Sequence, residues 1–585
     1  MLVDESGQAH IAWCGDDGFA TYWFADRAET VAALPCHNRP ELALDSDGLL
    51  HITWMSDEVI QTTGITAKGP YVYEVIQTVD GWTEPAIVAR PDQAVQPSMA
   101  SGMGTLHQVW YQDSPDQSGL NYAWQMQYDC DDSTLPPVAQ GALALARQTQ
   151  YQPAGDTVPY CQNRYDRLLY TPGPDPAFSD RTPTQNGGYD GLAELIRSAE
   201  YEVLTSTMEY SKDVNDDSPG SVVADAVADL YEQLKRDPSR YPRGLTVRIL
   251  LGNRPPLGEL ELNAMLWRVL SDLRDAGVPE MTNDELGWRL EVANYAGAWP
   301  HSHAKMTIID GKTLVAAGFN MEYHHFAPDH SSGLGKGTAD AAIQVTGPVA
   351  QDGRLAFDEL WAGATQRHCS DFSPPGPDQL WWRTCRDGKA IVDHVPEVKR
   401  YYLPGGESMA FSFLRTEAYD EADQQAAAAI AAADERVDIM HTMFTLPSVC
   451  ILNYLLEVCS AAQAMPYMQG ILNAVEDNEA HVRLLIDLEP IKGIENALAL
   501  DVLRNEVSDR GLSDRIEIRP FPGPVHAKKT LIDDQFLIVG SHNFHWSAYG
   551  KGQGLAEYSL GVADPKAISE FERFFEYHWQ RAEQE

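Results

Sequence analysis

Positive charge is scarce in this chain. Against 85 aspartates and glutamates stand only 43 lysines and arginines in 585 residues, a formal charge of −42. That excess argues against broad binding to polyanions such as nucleic acid, while leaving room for a local basic pocket. Long apolar runs are missing as well: no window approaches the ~20 apolar residues of a membrane span, and the N-terminus lacks the basic region and apolar core of a signal segment. On these grounds the chain reads as soluble. Cysteine is sparse, and no Cys-x-x-Cys occurs, which weakens zinc and thioredoxin-like readings. The eight cysteines form sequence-near pairs, Cys14 with Cys36, Cys130 with Cys161, Cys369 with Cys385 and Cys450 with Cys459. Such pairs fit disulfides in a secreted or periplasmic protein, with buried free thiols as the alternative.

The length exceeds what one core can hold and suggests three or four units at roughly 150 residues each. Residues 1–127 are β-like and repetitive. Gly-x-x-His-x-x-Trp occurs at Gly7, His10 and Trp13, at Gly48, His51 and Trp54, and at Gly104, His107 and Trp110. Short strands and turn residues at this spacing resemble blades of a β-propeller. Three blades do not close a ring that normally takes at least four, so the expectation is an incomplete propeller, one completed by another chain, or a truncated reading frame. Its histidines and tryptophans read as packing residues, and the region as a place for a protein partner.

Residues 128–185, rich in Pro, Gly, Asp and Gln, read as a linker or irregular covering segment. From Tyr189 onward helix and strand periodicities alternate. Leu192, Leu195 and Ile196 mark a helix, Val203 to Met208 a strand, Val223, Val227, Leu230 and Leu234 a second helix, and Leu245 to Leu251 a second strand. A helix over Leu266 to Leu273 and a strand from Leu290 to Ala293 follow, implying an α/β sandwich. Residues 371–405 break the pattern as a second linker, and the programme then repeats in order. Thr246-Val247-Arg248-Ile249-Leu250 returns as His481-Val482-Arg483-Leu484-Leu485, and Trp288-Arg289-Leu290-Glu291-Val292 as Asp514-Arg515-Ile516-Glu517-Ile518. The expectation is one domain duplicated, over 186–370 and 406–585, the halves packed about a pseudo-two-fold axis.

Each half carries the same constellation. His303-Ala304-Lys305 precedes Asp310 and Asn320; His526-Ala527-Lys528 precedes Asp533 and Asn543. The spacing His-x-Lys-x-x-x-x-Asp is identical in the two, as is the ten-residue interval from Asp to Asn. These residue types suit phosphoryl transfer without a metal or other cofactor. A neutral imidazole can attack phosphorus, lysine ammonium and asparagine amide groups can hold the non-bridging oxygens, and a second imidazole can protonate the leaving alcohol and then activate the incoming water or alcohol.

The motifs and the repeated α/β programme closely resemble the phospholipase D superfamily, over roughly residues 186–585. The resemblance implies a duplicated α/β/α sandwich and a covalent phosphohistidine on one motif histidine, the other acting as acid and base. It implies His303 as nucleophile, His526 as acid and base, and Lys305, Lys528, Asn320 and Asn543 as phosphate binders. Asp310 and Asp533 belong to the motifs, more often as supports than as substrate contacts. Glu557 matches the acidic residue that orients the preceding histidine, His526, and Asp340 takes that place in the first half. Ser541 lies in the regular Gly540-Ser541; the first half has Ala317-Gly318 and lacks that hydroxyl.

His301, His324, His325 and His330 crowd the first motif with no standard metal-ligand spacing and read as loop histidines. Glu209 and His441 end the first strand of each half and are candidates to line the site. Trp299 and Trp546 flank the motifs, either at an apolar entrance or in packing. The functional expectation is a phospholipase D-type phosphodiesterase that hydrolyses phospholipids or transfers their phosphatidyl group, touching a membrane surface transiently. The alternatives are a cardiolipin-synthase-like phosphatidyltransferase, a nuclease of the superfamily, which the charge disfavours, and a binding protein with an inert duplicated domain.

Overall fold

The computed structural model describes every residue except 1, 4–7, 26, 38, 45–49, 57–70, 79–80, 84, 90–93, 103–104, 114–117, 127–129, 131–133, 148–159, 212–216, 243, 254–263, 298, 373–380, 393–405, 448–464, 490–492, 551–553 and 583–585. The chain divides into two units, one holding residues 1–129 and 396–404, the other 130–395 and 405–585.

The first unit is antiparallel β throughout its described residues, in sheets of four, five and three strands. The period-2 pattern of Leu50–Ser56 and Tyr71–Thr78 buries Ile52, Trp54, Tyr73 and Val75. His51 is enclosed with its Nδ1 2.9 Å from Glu74 Oε1, and His10 Nδ1 lies 2.7 Å from the Tyr22 hydroxyl. These histidines therefore pack. Trp13 differs, at 38% exposed, and the three motif glycines and the His107 and Trp110 side chains lie outside what is described. Cys14 and Cys36 are disulfide-bonded.

The second unit is α/β. Its first sheet contains β1 (Arg164–Thr171), β2 (Glu202–Thr207), β3 (Leu245–Leu251), β4 (Trp288–Asn294), β5 (Met306–Ile309), β6 (Thr313–Ala317), β7 (Asp340–Thr346), β8 (Thr365–Cys369) and β9 (Cys385–Lys389), in the order β1-β7-β6-β5-β2-β3-β4-β8-β9. Its second contains β10 (Met409–Arg415), β11 (Arg436–His441), β12 (His481–Ile486), β13 (Ile516–Pro520), β14 (Lys528–Ile532), β15 (Phe536–Gly540) and β16 (Glu557–Ala563), ordered β10-β16-β15-β14-β11-β12-β13. The seven strands of the second sheet thus reproduce the order of the first seven in the first. Pairing agrees too: β2-β3-β4 and β11-β12-β13 are parallel, and the flanking pairs antiparallel. β2, β3, β11 and β12 are buried at most positions, polar residues included, because helices cover both faces.

The helices follow their periodicity. α1 (Pro137–Ala146) and α2 (Gly188–Arg197) precede α3 (Pro219–Arg236), which starts where Ser218 accepts the Ser221 amide with Pro219 at its first position, and buries Val223, Val227, Leu230 and Leu234. α4 (Ala264–Asp275) joins α2 and α3 over the first sheet; α1, α6 (Ala422–Ala431), α7 (Pro466–Asp477) and α8 (Gly493–Asp509) cover the second. Between the sheets lie α5 (Val349–Trp361) and α9 (Pro565–Arg581). Each closes one half and reaches across: Asp352 on α5 accepts the Ser412 amide of β10, and Glu570 on α9 takes the hydroxyls of Tyr165 and Tyr170 on β1. Phe357, Trp361, Phe571, Phe574 and Phe575 fill this shared core, each contributing roughly 1.5–3 kcal/mol by burial.

Two expectations change here. The stretch 128–185, read as a linker, supplies α1 and β1, and 371–405 supplies β9. The Cys369–Cys385 disulfide ties the second stretch to the end of β8, and Cys130–Cys161 closes a loop within the first; Cys450 and Cys459 lie outside the described residues. Among the described residues no helix is long and apolar enough to cross a membrane.

Candidate active site

Both motif histidines lie at the entrance to a strand, and each is held by the other half of the unit. Ser302 pairs in parallel with Ala556, so that the His303 amide donates to the Ala556 carbonyl at 2.7 Å. Ala339 pairs in the same way with Val525, and the His526 amide donates to the Ala339 carbonyl at 2.9 Å. The residue after each of these partners is the first of its strand and is acidic: Glu557 on β16 and Asp340 on β7.

The carboxylates consequently cross over. Glu557 faces His303, with Oε1 and Oε2 at 2.9 and 2.8 Å from Nδ1. Asp340 faces His526, with Oδ2 3.1 Å from Nδ1. The expectation that each acid serves the histidine of its own half is corrected: the parallel bridges between halves place it on the opposite one. A carboxylate at Nδ1 fixes the proton there and leaves Nε2 for chemistry.

Lys305 and Lys528, two residues on, fall on the same strand face as the histidines. Lys305 is buried and donates to the His303 carbonyl at 2.7 Å. Burial lowers its ammonium to about 8, against the pull of Glu557, Glu209, Asp340 and Glu322. The Lys528 ammonium lies 2.8 and 3.0 Å from the two ring nitrogens of His526 and also bonds its carbonyl. Glu557, raised by burial, is drawn down by His542, Lys305, Ser541 and Lys528, so both lysines act on one carboxylate and the motifs converge.

Asn320 Nδ2 donates to Glu322 Oε2 at 3.1 Å and reaches Glu209 Oε2 at 3.5 Å. The side-chain oxygens of Asn320 and Asn543 are buried without a protein hydrogen-bond partner. Ser541 donates to Glu557 Oε2 at 2.5 Å and accepts the Tyr558 amide. Gly318, its counterpart, has no room for a side chain, since a Cβ there would meet Asp340 Oδ1 at 2.4 Å. The missing hydroxyl is replaced from elsewhere: Lys529 Nζ donates to Asp340 Oδ1 at 2.9 Å.

Asp310 and Asp533, grouped by sequence with the catalytic residues, stand at the far ends of β5 and β14, ~16 Å of strand beyond the lysines. Each adopts positive φ, 54° and 50°, and gathers three backbone amides: Glu200, Tyr201 and Glu202 for Asp310, Asp434, Glu435 and Arg436 for Asp533. They fasten the starts of β2 and β11 and do not join the histidines.

Sequence reasoning passed over Lys529 and read His324 and His325 only as loop histidines, whereas the structure sets both beside His526. His325 is buried, its ring 5.2 Å from that of His526, and burial holds it well below the usual histidine range. His324 lies 6.3 Å from His526, with Nδ1 3.8 Å from Glu322. His330, by contrast, is held by Asn186 and Ser332 against Phe326. His301 gives its carbonyl to the Ala556 amide. His441 stacks on Phe544 at 3.9 Å, opposite Lys528 in the β11–β14 pairing, and burial holds it well below the usual histidine range. Trp299 is 60% exposed, whereas Trp546 packs on His545. Among the described residues no cluster of three or more His, Cys, Asp or Glu is arranged to hold a metal.

Residues 427–579, in the second half of this unit, match the family model described as "Cardiolipin synthase, PLD-like domain". No curated protein matches the sequence. Among solved structures, the chain is similar to a phosphatidylserine synthase of Haemophilus influenzae Rd KW20, at 13% identity and a TM-score of 0.47, covering 75% of this chain and 91% of that one. It is also similar to Nuc, a phospholipase D family member from Salmonella typhimurium, at 19% identity and a TM-score of 0.24, covering 31% of this chain and 99% of that one.

Proposed function

We propose that this chain transfers a phosphatidyl group through a covalent phosphohistidine, with an alcohol as acceptor and hydrolysis when water takes its place. The observation that carries the reading is the pair of histidines, each with a carboxylate of the opposite half at Nδ1 and a lysine two residues on. One histidine's Nε2 forms the N–P bond as the P–O bond to the leaving alcohol breaks, and that oxygen takes a proton from the other histidine. The second histidine then accepts a proton from the incoming hydroxyl, whose oxygen displaces the first from phosphorus. Lys305, Lys528 and the two asparagine side chains are the groups available to the non-bridging oxygens.

Transfer is put ahead of hydrolysis because the matched family is described as a cardiolipin synthase domain. A nuclease reading is set aside on the charge of −42. The common strand order supports the view that the α/β unit arose by duplication about a pseudo-two-fold axis. For the first unit, separate antiparallel sheets are compatible with propeller blades, and a protein-binding role is the reading it supports. Phospholipid vesicles supplied with ethanol or glycerol, with and without EDTA, test the proposal. Formation of the transphosphatidylated lipid, lost in His303→Asn and His526→Asn, is expected; no turnover of any phospholipid contradicts it.

A further inference from the structure

The two carboxylates behind the histidines are backed differently. Glu557 receives a neutral hydroxyl, Ser541 Oγ at 2.5 Å, and both its oxygens lie within 2.9 Å of His303 Nδ1. Asp340 receives a cation, Lys529 Nζ at 2.9 Å, has Lys528 Nζ at 4.0 Å, and offers His526 one oxygen at 3.1 Å. The exchange follows from single positions in the two motifs. Lys529 corresponds to Met306, and Ser541 corresponds to Gly318, where Asp340 leaves no space for a Cβ. Lys529 and Asp340 are fully buried, so water screens their interaction little.

We propose that Lys529 divides the labour of the histidines: by claiming Asp340's charge it leaves His526 to rest as the neutral nucleophile, while His303, against the hydroxyl-backed Glu557, rests protonated as the general acid. This assignment reverses the one implied by family resemblance and rests on the phosphotransfer reading above. A carboxylate stabilises an imidazolium at its Nδ1 in proportion to the charge it has to spare. Asp340 shares its charge with two lysines, and the Lys528 ammonium, 2.8 and 3.0 Å from the ring nitrogens of His526, disfavours a second positive charge on that ring. Around His526 stand also His325, buried and uncharged, and His324 at 6.3 Å, itself near Glu322. Around His303, Lys305 hydrogen-bonds the backbone carbonyl and, with Lys528, acts on Glu557 through space without the direct ion pair that Lys529 makes to Asp340; His542, behind Glu557, is held neutral by burial at about 4.

In the first step the His526 Nε2 lone pair forms the N–P bond, the P–O bond breaks, and His303 supplies the proton to the departing oxygen. In the second, His303 removes a proton from water or alcohol, whose oxygen forms the new P–O bond as the N–P bond breaks. Each histidine ends as it began.

Bis(4-nitrophenyl) phosphate separates the roles, because nitrophenolate departs without needing a proton. With His303→Asn the expected result is a burst of about one equivalent of nitrophenolate and a persistent adduct on His526, mapped by peptide mass spectrometry in alkali. His526→Asn gives no burst. An adduct on His303, with the burst in His526→Asn, overturns the assignment. Should a variant fold poorly, mapping the adduct on the unmodified enzyme during turnover distinguishes the same two histidines. If the unmodified enzyme yields neither nitrophenolate nor an adduct, and turns over no phospholipid, the phosphotransfer reading itself fails.

Lys529 is a positioning residue, and its test is a pH profile. Lys529→Met restores Asp340's hold on the His526 proton, so the acid limb of kcat/KM should move up by about one pH unit, while Lys529→Arg stays near the parent. An unmoved limb accompanied only by a lower melting temperature overturns the role given to Lys529.

Discussion

Glu557 opens β16 in the second half of the α/β unit, and both its oxygens lie within 2.9 Å of Nδ1 of His303 in the first half. This pairing across 254 residues, mirrored by Asp340 and His526, makes neither half complete without the other. Glu557→Gln keeps the shape but removes the charge that fixes the His303 tautomer. A fall in turnover on the order of 100-fold or more is expected, with the melting temperature little changed. Ser541→Ala, which removes the hydroxyl that backs Glu557 and accepts the Tyr558 amide but leaves the carboxylate charge, should cost far less. Steady-state kinetics on a soluble phosphodiester measure both, and turnover within about threefold of the parent in Glu557→Gln speaks against the pairing as a working part.

Lys305 sets an alkaline limit. In the proposed reaction it serves phosphate oxygens as an ammonium, and burial lowers it to about 8. The charged form dominates below that value and is lost as pH rises through it, so kcat/KM should decline above about pH 8. A rate still flat at pH 10 would remove Lys305 from phosphate binding.

Asp310 and Asp533 should behave as structural residues despite their place in the motifs. Asp310→Ala and Asp533→Ala each strip acceptors from three backbone amides, with an expected loss of roughly 1–3 kcal/mol in urea unfolding. The turnover of the folded fraction should stay close to the parent. A large fall in turnover without loss of stability contradicts this.

The disulfides give a separate prediction. Alkylation without reductant should leave Cys14, Cys36, Cys130, Cys161, Cys369 and Cys385 unlabelled. Replacing Cys130 and Cys161 by serine opens a link spanning 31 residues and should cost roughly 2–4 kcal/mol. Labelling of all eight cysteines without reductant rules the bridges out.

The site was legible wherever it is local. The His-Lys-Asn spacing and the apolar runs of β3 and β12 stand out because strand periodicity and burial act over a few residues. The crossing of Glu557 and Asp340 was not legible, because it depends on backbone bridges at Ser302–Ala556 and Ala339–Val525 that no spacing encodes. Lys529 passed unnoticed because a second lysine in a motif reads as solvated, whereas it is buried on β14 against Asp340. β1 and β9 were missed for another reason. They lie at sheet edges, and β9, Cys385-Arg-Asp-Gly-Lys389, is exposed over four of its five residues, so it has no apolar alternation to betray it.

The measurement closest to the central claim is phosphatidyl transfer itself: phosphatidylglycerol vesicles, the purified chain, and ethanol in the buffer, read by lipid mass spectrometry. The account predicts phosphatidylethanol alongside phosphatidic acid from the unmodified chain, and neither from His303→Asn nor His526→Asn. Phosphatidylethanol undiminished in both variants, or its absence together with phosphatidic acid from the unmodified chain, would contradict it.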